Sequence, residues 1–183
     1  MEDSLKERKG FGMRGLSLFS GAGGMDVGFE AAGFRTALAC EIDRSAAATF
    51  RSNFGCGMHE GDVRELLPSL EPGMADVVFG GPPCQGFSVA GKMDPSDPRS
   101  GLVMAFMEAV ARVRPKAFVM ENVDALAKLA KWAGTLGAIR EAAARAGYGV
   151  HVEVLDASRF GVPQKRHRMF MWGAAGRTDH EVE

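Results

Sequence analysis

Cys84 stands behind two prolines in the run Gly80-Gly81-Pro82-Pro83-Cys84-Gln85-Gly86-Phe87-Ser88. The prolines fix φ and remove two N–H donors, so the loop is stiff where the thiol is presented. It follows the apolar run Ala75-Asp76-Val77-Val78-Phe79. A strand that ends in such a loop delivers a side chain to the carboxyl edge of a sheet, where open α/β folds bind ligands. A thiol in that place has the setting of a nucleophile. The alternative is a buried structural cysteine in a tight turn, the usual state of free cysteine.

A second group of residues suits a ligand rather than a reaction. Phe19-Ser20-Gly21-Ala22-Gly23-Gly24 follows the short apolar run Leu16-Ser17-Leu18. Its glycines let a ligand approach the backbone at a helix N-terminus. The G-x-G-x-x-G spacing is incomplete, so a dinucleotide site is only weakly indicated. Glu41 ends the second apolar run about twenty residues on, where a carboxylate can accept from ribose hydroxyls. Asp62 ends the third and can take an adenine amino group. Each carboxylate alone reads as a helix cap or a surface group. Three ligand-compatible strand ends in series favour a nucleoside site. Gln164-Lys165-Arg166-His167-Arg168 is a dense basic cluster, and its plain reading is a solvated, charged strand edge.

The elements that must position these residues alternate along the chain. Strands are expected at residues 16–19, 36–41, near 58, 76–79, 116–120, 150–155 and 169–172. Helices are expected at 25–32, stopped by Gly33, at 46–54, capped by Asp43 or Ser45, briefly at 64–67, at 102–114 and at 135–146. In the fourth, Val103, Phe106, Met107 and Val110 share one face. Residues 81–100 form a long Gly- and Pro-containing stretch, and loops of that length in a compact domain are usually functional or mobile. Strands alternating with helices give an α/β fold with a mainly parallel, doubly wound sheet. The last two strands, with no clear helix between them, are expected to form an antiparallel edge.

In order along the chain, FSGAGG, the Glu41 strand end, Gly61-Asp62-Val63, GGPPCQGFS, Glu121-Asn122-Val123 and QKRHR resemble the DNA (cytosine-5)-methyltransferase family. The match runs from about Met13 to Trp172. The resemblance implies a Rossmann-like S-adenosylmethionine-dependent methyltransferase fold. It implies that Cys84 adds to C6 of a flipped cytosine, that Glu121 contacts N3 and the exocyclic amine, that Arg168 holds O2 and orients Glu121, and that Arg166 supports the loop or the thiolate. For S-adenosylmethionine it implies Phe19 on adenine, Glu41 on the ribose and Asp62 on N6, with Gly21, Gly23 and Gly24 along the methionine part. Ile42, Val63, Pro83 and Leu102 complete that pocket. The Pro82 carbonyl, Gln85, Ser88, Arg99 and Gln164 fall on the substrate side, Ser88 and Arg99 on phosphates. Members of the family continue past QKRHR with a target-recognition domain and two further motifs. The expected partners are therefore double-stranded DNA and a second polypeptide that supplies those parts. An enzyme acting on RNA cytosine, or a silent remnant, is the alternative, although Cys84, Glu121, Arg166 and Arg168 stand together against a remnant.

Composition bounds the rest. The 183 residues with 46% hydrophobic content suit one domain with a sizeable core: a tail at 1–12, a catalytic and cofactor-binding domain at 13–173, and a polar tail at 174–183 expected to fray. Cys40, Cys56 and Cys84 form no CxxC pair and no metal-ligand spacing with the four histidines. That usage suits a reducing cytosol, with activity at the bacterial nucleoid. No apolar run has transmembrane length. The net charge of −1 does not by itself advertise nucleic-acid binding.

Overall fold

The computed structural model describes residues 12–83 and 101–182. The apolar runs become strands β1 (Arg14–Leu18), β2 (Arg35–Glu41), β3 (Gly57–Glu60), β4 (Val77–Gly80), β5 (Ala117–Val123), β6 (Tyr148–Asp156) and β7 (His167–Ala175). They form one sheet in the order β3-β2-β1-β4-β5-β7-β6. The helices between them are α1 (Gly24–Ala31), α2 (Arg44–Asn53), α3 (Val63–Leu66), α4 (Gly101–Val113), α5 (Ala125–Lys128) and α6 (Ala133–Arg145).

Alternation along the strands divides the helices between two faces. Val78 faces a core shared with Leu16, Leu18, Phe118, Met120 and the buried sides of α3, α4 and α6. Its neighbour Phe79 points the other way and stacks on Phe29 of α1 at 3.8 Å between ring centres. On that second face α2 buries Phe50 and Phe54 against Ala39 of β2. The periodic face expected of α4 is the buried one, with Val103, Phe106, Met107 and Val110 at 3% exposure or less. Each such side chain contributes about 1.5–3 kcal/mol on burial. Asp43 caps α2, its Oδ1 accepting from the Ala46 N–H at 2.8 Å.

The last two strands form the antiparallel edge expected of them: β7 sits between β5 and β6 and runs against both, so the edge strand β6 lies parallel to β5. Two features differ from the sequence expectation. The short helix α5 directly follows the Glu121-Asn122-Val123 strand end and buries Leu126. The residues expected to fray at the C-terminal end are instead docked. The Val150 N–H donates to Asp179 Oδ1 at 2.8 Å, Trp172 Nε1 donates to the Val182 carbonyl at 3.1 Å, and Thr178 and Glu181 close a capping box over a 3₁₀ turn. Polar side chains there act as specific hydrogen-bonding groups, which composition alone cannot distinguish from solvated ones.

Among the described residues no helix is long and apolar enough to cross a membrane.

Candidate active site

The strand order reverses at β1: β2 and β3 lie to one side, β4 and β5 to the other. The crevice outside the carboxyl ends of β1 and β4 is therefore the topological switch point, where open α/β sheets take their ligands. Phe19 leaves β1 there, and Pro82 and Pro83 follow β4. Two concavities open along this edge.

The first, about 300 Å³ in empty volume, is lined by Phe19, Cys40, Glu41, Ile42, Gly61, Asp62, Val63, Pro83 and Leu102. Seven of the ten residues that the resemblance assigned to the cofactor thus share one pocket. The Glu41 carboxylate spans the two turns beside it: Oε2 accepts from the Gly21 N–H and Oε1 from the Asp43 N–H, each at 2.8 Å. Each oxygen keeps acceptor capacity for a further donor such as a hydroxyl. Asp62 is more committed than expected. Its carboxylate caps α3 through the Arg64 N–H and meets the Arg64 guanidinium on both oxygens. That fork holds Asp62 below the usual carboxylate range. Apolar walls with carboxylates at the rim fit an adenosine moiety.

The loop entering this pocket is bent tightly. Phe19 has φ 56°, a left-handed value that is an outlier for an aromatic residue, followed by Gly21 at 56° and Gly23 at 95°. Gly23 has no substitute, because a Cβ there would lie 2.2 Å from the Phe54 ring. Beneath the loop lies a residue that the sequence reading passed over. Asp26, in the first turn of α1, is 0% exposed. It accepts from Ser17 Oγ of β1 and Thr36 Oγ1 of β2, both at 2.9 Å.

The second concavity is larger, about 1130 Å³ in empty volume, and more open. Its lining includes Gly24, Met25, Glu121, Phe160, Arg166 and Arg168. Glu121, near the end of β5, pairs through Oε1 with Arg168 Nε of β7 at 2.9 Å. Burial pushes Glu121 above its usual value, while Arg168 and then Arg166 pull it back. Gly24, expected along the cofactor, lies in this wall, and Gly21, Gly23 and Gly24 are absent from the lining of the first pocket. The next residue on β5, Asn122, is 2% exposed and donates from Nδ2 to the Pro82 carbonyl at 3.2 Å. The acceptor assigned to a substrate amine is thus already engaged once from within the protein. Gln164 is exposed, in the turn before β7.

Cys84, Gln85, Ser88 and Arg99 lie outside the described residues. Sequence reasoning missed Asp26, the tie from Asn122 to Pro82, and the apolar rim formed by Leu155, Phe160, Val162 and Phe170. A signal for the rim was present: Phe160 and Val162 are 66% and 45% exposed, beside the basic cluster in a segment that also holds Gly161 and Pro163. Among the described residues no cluster of His, Cys, Asp or Glu is arranged to hold a metal.

This geometry agrees with the relatives. The model of the C-5 cytosine-specific DNA methylase family matches residues 13–182. The type II methyltransferase M.AquIA of Picosynechococcus is 44% identical over 174 residues, covering 86% of this chain and 70% of that protein. M.AgeI of Thalassovita gelatinovora is 40% identical over 172 residues, covering 89% of this chain and 40% of that protein. M.HindV of Haemophilus influenzae is also 40% identical, over 164 residues, covering 88% of this chain and 53% of its own. Beyond M.AquIA, then, the chain spans about half or less of these relatives. Among solved structures, a DNA modification methyltransferase encoded within an E. coli prophage superposes with a TM-score of 0.74 at 31% identity, over 89% of this chain and 47% of that one. The S. pombe Dnmt2 methyltransferase shares the fold at a TM-score of 0.68 and 18% identity. With a family model covering nearly the whole chain and a switch-point crevice of the matching form, the protein belongs to the C-5 cytosine-specific DNA methylases, a family of S-adenosylmethionine-dependent methyltransferases.

Proposed function

We propose that this chain carries the cofactor- and base-handling half of a DNA cytosine-5 methyltransferase, and that a second polypeptide supplies target recognition. The observation that carries the reading is the pairing of Glu121 with Arg168 across β5 and β7, in a cleft beside a separate pocket lined by Phe19, Glu41 and Asp62. In that pocket Phe19 meets adenine, Glu41 accepts from the ribose, and Gly21 and Gly23 border the methionine part. Bound there, S-adenosylmethionine supplies an electrophilic methyl group.

Cytosine C5 is a poor nucleophile until something adds to C6. In the proposed course the Cys84 thiolate forms a bond to C6 of a base turned out of the duplex, and the ring electrons shift toward N3 and C5. Glu121 steadies that charge by holding a proton at N3, a task helped by the burial that raises its proton affinity. Arg168 fixes the Glu121 carboxyl and reaches O2, as a guanidinium fork suits. Once C5 carries the methyl group, loss of its proton expels the Cys84 thiolate and restores the ring. The exposed Phe160 and Val162 at the cleft rim form an apolar surface that a recognition domain would cover.

The test is transfer of labelled methyl from S-adenosylmethionine to duplex DNA, with and without a polypeptide bearing a target-recognition domain. Transfer is expected only with that polypeptide. DNA containing 5-fluorocytosine should trap a covalent adduct, and Cys84→Ser should abolish it. Adduct formation by the Cys84→Ser protein would remove Cys84 from its role, and site-specific transfer by the chain alone would remove the need for a partner.

A further inference from the structure

Residues 157–166 join β6 to β7 and contribute Ala157, Phe160, Val162 and Arg166 to the wall of the larger cleft. Every residue from Ser158 to His167 is exposed. A segment that buries so little gains little order from packing. What fixes it must be polar and must close the loop at its ends.

Asp156, the last residue of β6, occupies that place. It pairs with His167, the first of β7, as the final rung of the hairpin. Its side chain is 18% exposed. Oδ1 accepts from the Ser158 N–H, where the loop begins as a 3₁₀ turn, and from the Arg166 N–H, where it returns, both at 3.1 Å. The Ala157 N–H donates to the Arg166 carbonyl at 3.0 Å between them. One carboxylate oxygen thus gathers both ends of the loop. The Ser158 N–H above all holds the Asp156 carboxyl below the usual range. At neutral pH it is therefore ionised, and a charged acceptor makes the stronger hydrogen bonds.

The loop end that Asp156 holds belongs to Arg166. Both the N–H and the carbonyl of Arg166 are engaged at the base. Its guanidinium lines the cleft, where burial raises Glu121 and Arg168, then Arg166, pull it back. A backbone free to swing would spread that guanidinium over a wider volume, and its pull on Glu121 would fall with distance.

We infer that Asp156 is a positioning residue of the cleft: by closing residues 157–166 at both ends it keeps Arg166, with Phe160 and Val162, in the wall beside the Glu121–Arg168 pair. Asp156 itself lines neither concavity, so it acts through the loop. The inference rests on the reading of that cleft as the reactive one.

The experiment follows the Glu121 carboxyl by carbon-13 titration of this chain as wild type, Asp156→Ala, Asp156→Asn and Arg166→Ala. Asparagine loses the charge but keeps an acceptor oxygen with two lone pairs, whereas alanine loses both. Asp156→Ala should shift the Glu121 pKa upward, toward that of Arg166→Ala, and Asp156→Asn should not. Equal shifts in the alanine and asparagine variants overturn the inference, because charge rather than loop closure would then be acting. So does a full further shift when Asp156→Ala is added to Arg166→Ala, because Asp156 would then not act through Arg166. A second measurement needs no variant. The Ser158 and Arg166 amide signals of the wild type should titrate together, with the single pKa of the Asp156 carboxyl. Separate titrations, or one amide that does not move, overturn the shared tie. In methyl transfer with the recognition polypeptide present, kcat should fall about 10-fold or more in Asp156→Ala and return in Asp156→Asn. An unchanged kcat in Asp156→Ala overturns the inference. Absence of transfer by the wild type strikes the proposed function instead, and the Glu121 and amide titrations then decide the placement of Arg166 by themselves.

Discussion

Asn122 Nδ2 donates to the Pro82 carbonyl at 3.2 Å, tying the end of β5 to the root of the double-proline loop. Its Oδ1 meanwhile accepts from the Val123 N–H at 2.8 Å, which fixes the amide in its orientation. The strand that presents Glu121 therefore also sets where the chain leading to Cys84 departs. Asn122→Ala should leave a buried carbonyl unmatched and cost about 1–3 kcal/mol of stability. With the partner polypeptide present, it should lower kcat for methyl transfer more than it weakens S-adenosylmethionine binding, because Pro83 is the pocket-lining residue next to this bond while Glu41 and Asp62 sit on other strand ends. Calorimetry and single-turnover kinetics on the same preparation check the split.

Glu121 and Arg168 make a prediction with a definite pH sign. Burial raises the Glu121 pKa in the folded state, so the ionised folded form carries a penalty as pH rises from the unfolded value, about 4.3, through the raised one. Glu121→Gln is neutral at every pH. Its melting temperature relative to wild type should therefore rise across that interval and be flat below it. The same variant should lose about 10²–10⁴-fold in methyl transfer if Glu121 manages the N3 proton. Arg168→Ala removes the nearest cation and should move Glu121 further upward, seen by carbon-13 titration of its carboxyl.

The two glycines ahead of the prolines should respond differently to a single methyl group. A Cβ on Gly80 would sit 1.9 Å from the Leu18 carbonyl oxygen, backbone against backbone between paired strands. Gly80→Ala should cost about 1–3 kcal/mol or more in folding stability, read as a drop in melting temperature. A Cβ on Gly81 meets Glu121 Oε2 at 3.1 Å, the end of a flexible side chain. Gly81→Ala should fold normally yet displace the carboxylate, so its loss appears in kcat measured with the partner polypeptide present.

Glu41 joins two turns as well as facing the pocket. Glu41→Ala frees the Gly21 and Asp43 N–H groups at once. The affinity for S-adenosylmethionine should fall by about 1–3 kcal/mol, and amide exchange at Gly21 should quicken even without ligand. Unchanged exchange would show that the carboxylate does not order the loop.

The parts of this molecule legible in its sequence are those with local causes. The α4 face follows from its period, the Asp43 cap from its side chain, and the Phe19 loop from its glycines. Of the seven pocket residues, Glu41 and Asp62 follow from strand ends, whereas the roles of Phe19, Ile42, Val63, Pro83 and Leu102 follow only from the family resemblance. What stayed hidden depends on side-chain geometry, with partners sometimes far apart in sequence and, for Asp62, only two residues away. Asp26 looks like an ordinary first-turn acid until Ser17 and Thr36 close over it. The Asp62 carboxylate looks free until Arg64 turns back onto it. The insertion of β7 beside β5 follows from pairing between strands, which periodicity within one strand does not reveal.

That insertion sets an order of assembly. Until residues 148–175 have been synthesised and folded into their hairpin, β5 is an unpaired edge with open hydrogen-bonding groups, a template for wrong pairing. When β7 adds, it closes that edge and delivers Arg168 beside Glu121 in the same event. The residues that line the first pocket, Phe19 to Leu102, all precede β5 in the chain, whereas the cleft needs β7. The pairing that completes the sheet is therefore also the one that brings the Glu121–Arg168 ion pair into being.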